Sequence, residues 1–363
     1  MGIKVLSLFD GISTGRLALE RAGIDVDVYY ASEIDKNAEA VSRYHYPDIV
    51  RLGDVKSIDF NQFKDVDLIL SGSPCTDLSA ENRNRAGLYG KHSSLFFYFL
   101  DALNVIKPKW FLQENVASMR NVDKQLITEY LYSYSSNLDC IAIDSALVSA
   151  QVRKRLYWTN IPTDQPTNQN IFLTNVLETI ELDNYVVLCP NIYTDGAVKI
   201  VDNHVVATNG KRVDITSKHL PCCFKEVRTE QGKALRRQAR LEGRKDTTPR
   251  TATCKMFVPK TDNKANCLTT SKNAATMVQQ ECGSNLVIRH LTPLECDRLQ
   301  TMGDDYTKYG LDNYGNVVEM SNSARYKMLG NGWTCDVIAH IFNGMLQEQP
   351  VRKSRGLLSS IIN

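Results

Sequence analysis

The stretch Lys4-Val5-Leu6-Ser7-Leu8-Phe9-Asp10-Gly11-Ile12-Ser13-Thr14-Gly15 decides the fold. Its first six residues form an apolar run short enough for a buried strand, and Thr14–Ala22 places apolar residues at helical spacing. Between the two, Gly11 and Gly15 let the backbone approach a ligand closely, and the first turn of the helix offers unpaired N–H groups. The spacing is G-x-x-x-G rather than the dinucleotide G-x-G-x-x-G, so pyrophosphate binding is not implied. Taken alone, a purely structural strand–helix turn reads equally well.

Outward from this unit the pattern repeats. Val26–Ser32, Asp67–Ser71, Trp110–Glu114 and Cys140–Val148 read as strands. Lys36–Tyr44, Ser94–Val105 and Lys124–Tyr134 between them read as amphipathic helices. Such alternation predicts an α/β fold with a mainly parallel sheet and helices on both faces. Ligands in these folds bind beyond the carboxyl ends of the strands. From Ile161 the character changes: Pro162, Pro166, Asn168 and Asn170 mark a linker, and mixed short strands follow to about residue 285. Thr292–Met302 and Ser323–Phe342 then read as helices. The expected organisation is a catalytic domain over 1–160, a smaller mixed domain over 161–285, and C-terminal helices over 286–363 that return to the first domain.

Composition narrows the class. The 363 residues are 43% hydrophobic and 23% charged, and no apolar run approaches the roughly 20 residues needed to span a bilayer. Met1-Gly2-Ile3-Lys4-Val5-Leu6 has no signal-peptide pattern, and Leu6 breaks the myristoylation pattern. A cytoplasmic enzyme is expected. None of the ten cysteines forms a C-x-x-C pair, so most should be reduced, and no metal is expected. The net charge of +2 hides an asymmetry, because residues 196–285 hold 17 Lys and Arg against 8 Asp and Glu. A segment that meets a polyanion reads this way, as does a solvated basic face.

The residues after each strand carry the chemistry. Glu33 ends the second strand, where nucleoside-binding folds place a carboxylate on the ribose hydroxyls. Asp54, in Gly53-Asp54-Val55, is placed to accept an adenine amino group. The three elements in this order point to an adenosine-containing cofactor. Ser71-Gly72-Ser73-Pro74-Cys75 follows the next strand, with Arg83 and Arg85 near in sequence. A lone Cys is more often a small core residue, but a Gly/Pro loop at this edge exposes sulfur and favours its thiolate. Glu114 in Gln113-Glu114-Asn115-Val116, and Arg153 with Arg155 in Gln151-Val152-Arg153-Lys154-Arg155, reach the same edge. Thiol, carboxylate and arginines beside an adenosine pocket suit attack on an electron-poor ring.

The ordered set FDGISTG, ASEID, GDV, GSPC, QENV, QVRKR and LGNGW resembles the motif series of the DNA cytosine-5 methyltransferases along the whole chain. Ser73-Pro74-Cys75-Thr76-Asp77-Leu78-Ser79 is most similar to the animal de novo branch. Thr76 departs from the Gln that most bacterial members carry. The resemblance implies a prokaryotic or phage enzyme, in restriction-modification or as an orphan, that methylates double-stranded DNA from S-adenosylmethionine. It makes Cys75 the nucleophile on a flipped-out cytosine. It places Glu114 at the ring nitrogen and Arg155 with Arg153 at the base carbonyl. The cofactor is assigned to Phe9, Asp10, Gly11, Ile12, Thr14, Gly15, Glu33, Ile34, Asp54, Val55, Pro74, Asn331, Gly332 and Trp333. DNA contacts are assigned to Arg236, Arg237, Arg240, Arg244 and Lys245, and to Thr270, Ser271 and Lys272, whose surroundings resemble a turn that lies near the DNA in the family. Arg250 extends the same basic run, and no protein partner is indicated. Methylation of structured RNA and a silent DNA-binding module are the competing readings. The latter requires loss of a key side chain, and Cys75, Glu114 and Arg155 are all present.

Overall fold

In the computed structural model, which describes residues 2–80, 82, 85–179, 198–201, 204–207, 212–214, 222–243, 255–260, 262–270, 277–282 and 285–347, the chain opens as a succession of strands and helices. These are β1 (Ile3–Leu8), α1 (Thr14–Arg21), β2 (Val26–Ser32), α2 (Lys36–His45), β3 (Val50–Arg51), β4 (Leu68–Ser71), α3 (Phe96–Ile106), β5 (Trp110–Val116), α4 (Asn121–Tyr134), β6 (Asp139–Asp144) and β7 (Lys154–Thr159). They form one sheet in the order β3-β2-β1-β4-β5-β7-β6. All neighbours are parallel except β7, which runs against both β5 and β6.

Alternation along these strands feeds two cores. Val5, Leu68, Leu70, Leu112 and Tyr157 face α1 and the helix over Cys335–Asn343. Leu6, Leu8, Ile69, Phe111 and Trp158 face α3 and α4. A sheet covered on both faces explains why its strands read as continuous apolar runs. Trp158 is fully buried and satisfies its indole N–H on Thr128 Oγ1 at 2.8 Å.

Two strands lie outside the sequence expectation. β3 has only two residues, too few to show a period. β7 starts within the Gln151–Arg155 stretch and was not among the expected strands, and the expected Cys140–Val148 strand ends at Asp144 in a 3-10 turn over Ser145–Leu147. Asp144 Oδ1 stops it by accepting the backbone N–H groups of Ala146 and Arg153.

A second sheet follows, built from β8 (Val198–Val201), β9 (His204–Ala207), β10 (Arg212–Asp214), β11 (Cys222–Arg228), β12 (Lys255–Pro259), β13 (Met277–Cys282) and β14 (Asn285–His290), with α5 (Glu230–Leu241) after β11. Its order is β14-β13-β11-β12-β10-β9-β8. The chain then returns through α6 (Pro293–Leu299), the hairpin β15 (Tyr309–Leu311) and β16 (Val317–Glu319), α7 (Asn322–Asn331) and α8 (Cys335–Asn343). Thr292, Pro293 and Glu295 start α6 as a capping box. The helical run expected over Ser323–Phe342 breaks at Gly332-Trp333-Thr334, which places Trp333 at the sheet's carboxyl edge.

The second sheet joins the rest of the protein in a third core, where Cys223 and Val278 pack with Leu173, Leu291, Cys296 and Leu299. Lys264 pins this junction. Its buried ammonium donates to the carbonyls of Ala146 and Ser149 at 2.8 Å and to that of Ile171. All three N–H groups are thereby satisfied, although burial still lowers its pKa. Lys264→Met preserves the stem and strands three buried carbonyls. We expect it to lower stability by about 2–4 kcal/mol, seen as an earlier urea midpoint. An unchanged midpoint would show that the ammonium does not hold the junction.

Candidate active site

A cavity of about 320 Å³ opens at the carboxyl edge of the first sheet, with the loops after β1, β2, β4 and β5 in its wall. The β1–α1 loop is unusual in its backbone. Phe9, Gly11 and Ser13 have φ of 60°, 62° and 58°, a region that costs a non-glycine residue roughly 1–2 kcal/mol. Asp10 braces it from beneath. Its carboxylate accepts from Ser13 Oγ at 2.6 Å and from Tyr29 Oη at 2.8 Å. Glu33 braces it from the side, taking the Gly11 N–H at 2.8 Å and the Ile34 and Asp35 N–H groups at 2.7 Å.

Burial pushes the Asp10 carboxyl up to about 6; hydrogen bonds from Ser13, Ser7 and Tyr29 oppose this, and the charge of Glu33 adds to it. Asp10 therefore lines the cavity while its oxygens are engaged within the protein. Gly15, expected on the cofactor, is not part of the cavity wall. A Cβ there would lie 2.7 Å from Leu70 Cδ1 and 2.8 Å from Tyr29 Oη, so this glycine lets α1 sit on the sheet.

The other expected cofactor residues, Phe9, Gly11, Ile12, Thr14, Glu33, Ile34, Asp54, Val55, Pro74, Asn331, Gly332 and Trp333, all line the cavity. Ile34 is 72% exposed, and Asp54 is exposed at the mouth. Ser32, Asp35, Ala38, Gly72, Ser73, Met328 and Gly330 also line it and were not singled out from sequence. Most of them adjoin the motifs. Only Ala38 and Met328 come from helix interiors, where apolar periodicity reads simply as core.

At the other end of the cavity stand Cys75, Glu114, Arg153 and Arg155. The Cys75 carbonyl accepts the N–H groups of Leu78 and Ser79, which closes a tight turn. Asp77 Oδ2 clamps that turn to the N–H groups of His92 and Ser93, and Ser93 Oγ donates to the Pro74 carbonyl. Asn115 Nδ2 and Gln113 Nε2 hold Ser73 from β5. Arg155 Nε lies 3.1 Å from Glu114 Oε1, and Trp333 Nε1 donates to Glu114 Oε2 at 3.0 Å.

Arg153 departs from its expected role. It is buried, and its terminal nitrogens donate to the carbonyls of Leu268, Gly330 and Gly332 at 2.8–3.0 Å. It acts as a strut between wall segments and leaves Arg155 to face a ligand. Gly330 permits the same approach, since a Cβ there would lie 2.3 Å from the Thr269 carbonyl carbon.

The Cys75 thiol is pushed up by burial and by the Glu114 carboxylate, and pulled down by Arg155 and Arg153. Of the expected DNA contacts, Arg236, Arg237 and Arg240 lie on α5, with Arg237 and Arg240 exposed, and Thr270 is exposed near Gly330. Arg244, Lys245, Arg250, Ser271 and Lys272 lie outside the described residues, as does Arg83.

Two measurements follow from these shifts. A carboxyl raised from 3.8 to about 6 on folding contributes stability below pH 3.8 that is lost as pH rises through 6, about 3 kcal/mol in all. The ligand-free protein should therefore lose Tm from pH 5 to 7.5 more steeply than Asp10→Asn, and parallel profiles would contradict the assignment. For the thiol, Glu114→Gln removes an upward push. Alkylation of Cys75 at pH 8, followed on its peptide by mass spectrometry, should accelerate roughly fivefold, and Arg155→Met should slow it. Equal rates in all three proteins would remove the electrostatic account.

Comparison with known proteins bears on the whole arrangement. The family model described as C-5 cytosine-specific DNA methylase matches residues 3–347. The orphan methyltransferase M.SPRI of Bacillus phage SPR is 30% identical over 174 residues, 46% of this chain and 39% of its own length. The type II methyltransferase M.HgiCI of Herpetosiphon aurantiacus is 28% identical over 249 residues, 58% of this chain and 57% of its own. The matches thus span less than two thirds of these relatives. The crystal structure of Spodoptera frugiperda DNMT2 superposes with a TM-score of 0.59 at 14% identity, covering 95% of this chain and 100% of that one, a likeness of fold.

Proposed function

Since the chain belongs to the C-5 cytosine-specific DNA methylase family, we propose that it methylates carbon 5 of cytosine in double-stranded DNA, with Cys75 as nucleophile. The observation that carries this reading is a single cavity with an adenosine-type wall at one end and Cys75, Glu114 and Arg155 at the other.

The residues fit S-adenosylmethionine, the donor the family implies. Glu33 Oε2 accepts one N–H and keeps a lone pair for a ribose hydroxyl. Asp54 offers a carboxylate to the adenine amino group. Phe9, Ile34, Val55 and Trp333 supply apolar walls, and an aromatic base would cover the otherwise exposed Ile34. When bound, S-adenosylmethionine supplies an electrophilic methyl group.

The chain's own residues prepare the base. The Cys75 sulfur bonds to carbon 6, and the displaced π electrons move to carbon 5. Glu114 holds the ring nitrogen and supplies a proton there, so no uncompensated anion builds up. Arg155 pairs with Glu114 and donates to the Lys154 carbonyl and Cys267 Sγ, and its remaining N–H groups hold the base carbonyl. Once carbon 5 has taken the methyl group, loss of its proton to water re-forms the bond between carbons 5 and 6 as a double bond and expels the Cys75 sulfur, and the ring-nitrogen proton returns to Glu114. The flipped-out base is the only form that reaches such a cavity.

The second sheet and α5 read as the part that meets DNA. Lys233, Arg236, Arg237 and Arg240 recur at helical spacing on α5. No described helix is long and apolar enough to cross a membrane. The phage orphan and bacterial type II relatives favour modification of phage or bacterial DNA, inside the cell.

Tritium from labelled S-adenosylmethionine should transfer to duplex DNA, and Cys75→Ala should lower the rate more than about 10³-fold. Duplexes carrying 5-fluorocytosine should trap a covalent adduct. Transfer to structured RNA alone, or undiminished transfer by Cys75→Ala, would overturn the proposal.

A further inference from the structure

Each Glu114 oxygen meets a different group: Oε1 lies 3.1 Å from Arg155 Nε in an ion pair, and Oε2 accepts a hydrogen bond from Trp333 Nε1 at 3.0 Å. Arg155 belongs to the chemical end of the cavity. Trp333 comes from 219 residues further along the chain, at the break between α7 and α8, and lines the same cavity beside the β1–α1 loop. Its ring has little freedom. A Cβ on Gly72 would lie 3.0–3.3 Å from the indole and press on it, so the glycine lets the ring pack closely there. The backbone on either side is tied down, with the Gly332 carbonyl on Arg153 at 2.8 Å and Thr334 Oγ1 on Gln300 at 2.8 Å.

We propose that Trp333 is a positioning residue for Glu114, through which filling of the cofactor half of the cavity fixes the carboxylate that meets the base. This rests on the function proposed above. The directional hydrogen bond from the indole fixes the plane of the carboxylate, whereas the ion pair with Arg155 alone leaves it a rotation. A ligand packed along the indole removes the remaining play of the ring and hence of Glu114. The coupling is reciprocal: a base held by Glu114 must tighten the cofactor half by the same factor. The other charged or titratable groups facing Glu114 are Arg155 and Arg153, the Cys75 thiol and the Tyr157 hydroxyl.

Trp333→Phe keeps an aromatic wall and deletes the N–H. In the full chain, we expect S-adenosylhomocysteine affinity to stay within about threefold while kcat at saturating cofactor falls about 10- to 100-fold. S-adenosylhomocysteine should tighten wild-type binding to duplex DNA several-fold and leave Trp333→Phe binding unchanged. An unaltered kcat, or a loss restored by excess cofactor, would overturn the proposal and reduce Trp333 to a wall of the cofactor pocket.

A reciprocal arm keeps Trp333 in place. Glu114→Gln should weaken S-adenosylhomocysteine binding about threefold or more and shift the emission of the indole. Unchanged affinity and emission would overturn the link even if Trp333→Phe failed to fold. Both readouts are binding measurements, so they stand apart from a wild-type protein that methylates no DNA, which would instead overturn the function proposed above.

Discussion

Glu114 and Arg155 meet because β7 runs against β5. In that antiparallel register Val116 lies opposite Arg155 and Glu114 opposite Tyr157. Glu114 and Val116 point to one face of β5, and Arg155 points to the same face of β7. The guanidinium therefore reaches diagonally, by one residue pair, to the carboxylate at 3.1 Å. A parallel seventh strand would carry its entry to the opposite end of the sheet, and Arg153 and Arg155 with it. The reversed strand puts the start of β7 where the other strands end, so a basic segment joins a site otherwise built from strand carboxyl ends. Cys75, delivered by β4 next to β5, then lies within the field of both charges.

Around this pair the protein places costly features and holds each one in place. Phe9 and Ser13 adopt a backbone that L-residues avoid, and Asp10, Tyr29 and Glu33 hold them there. Arg153 is buried with its terminal nitrogens on three carbonyls that belong to two separate wall segments. Such groups stabilise little by comparison with apolar packing of the same volume. Their effect is to fix positions, and fixed dipoles at a water-poor site are what charge development in a reaction requires. The apolar cores on either side of the sheet carry the stability that this end of the molecule forgoes.

The first sheet was legible in sequence because strands buried on both faces are apolar runs and because glycine and proline mark their ends. Phe9–Gly15, Glu33, Asp54 and Cys75 were marked in this way, each just after a strand, while Glu114 lies inside β5, two residues before its end. β7 was not legible as a strand: Lys154-Arg155-Leu156-Tyr157-Trp158-Thr159 starts with two cations, and its pairing with β5 joins residues 39 to 47 positions apart. The break at Gly332–Thr334 inside a helical pattern was missed for a similar reason, since tertiary contacts of Trp333 and Thr334 decide it. Gly15 shows the converse, a glycine correctly seen as needed for close approach, but to Leu70 and Tyr29 rather than to a ligand. Arg153 has the residue type of a ligand contact, and only its three carbonyl partners reveal a strut.

The reactivity of Cys75 is set by the same strand arrangement. Burial first, and the Glu114 carboxylate second, push its thiol above the ordinary range, so the resting sulfur is protonated and slow toward stray electrophiles. Arg155 and Arg153 pull the other way. The upward charge comes from β5 and the downward charges from the entry of β7, and the antiparallel register of these two strands brings both to the sulfur. The direction of β7 therefore governs the electrostatics of the thiol as well as the geometry of the pair beside it.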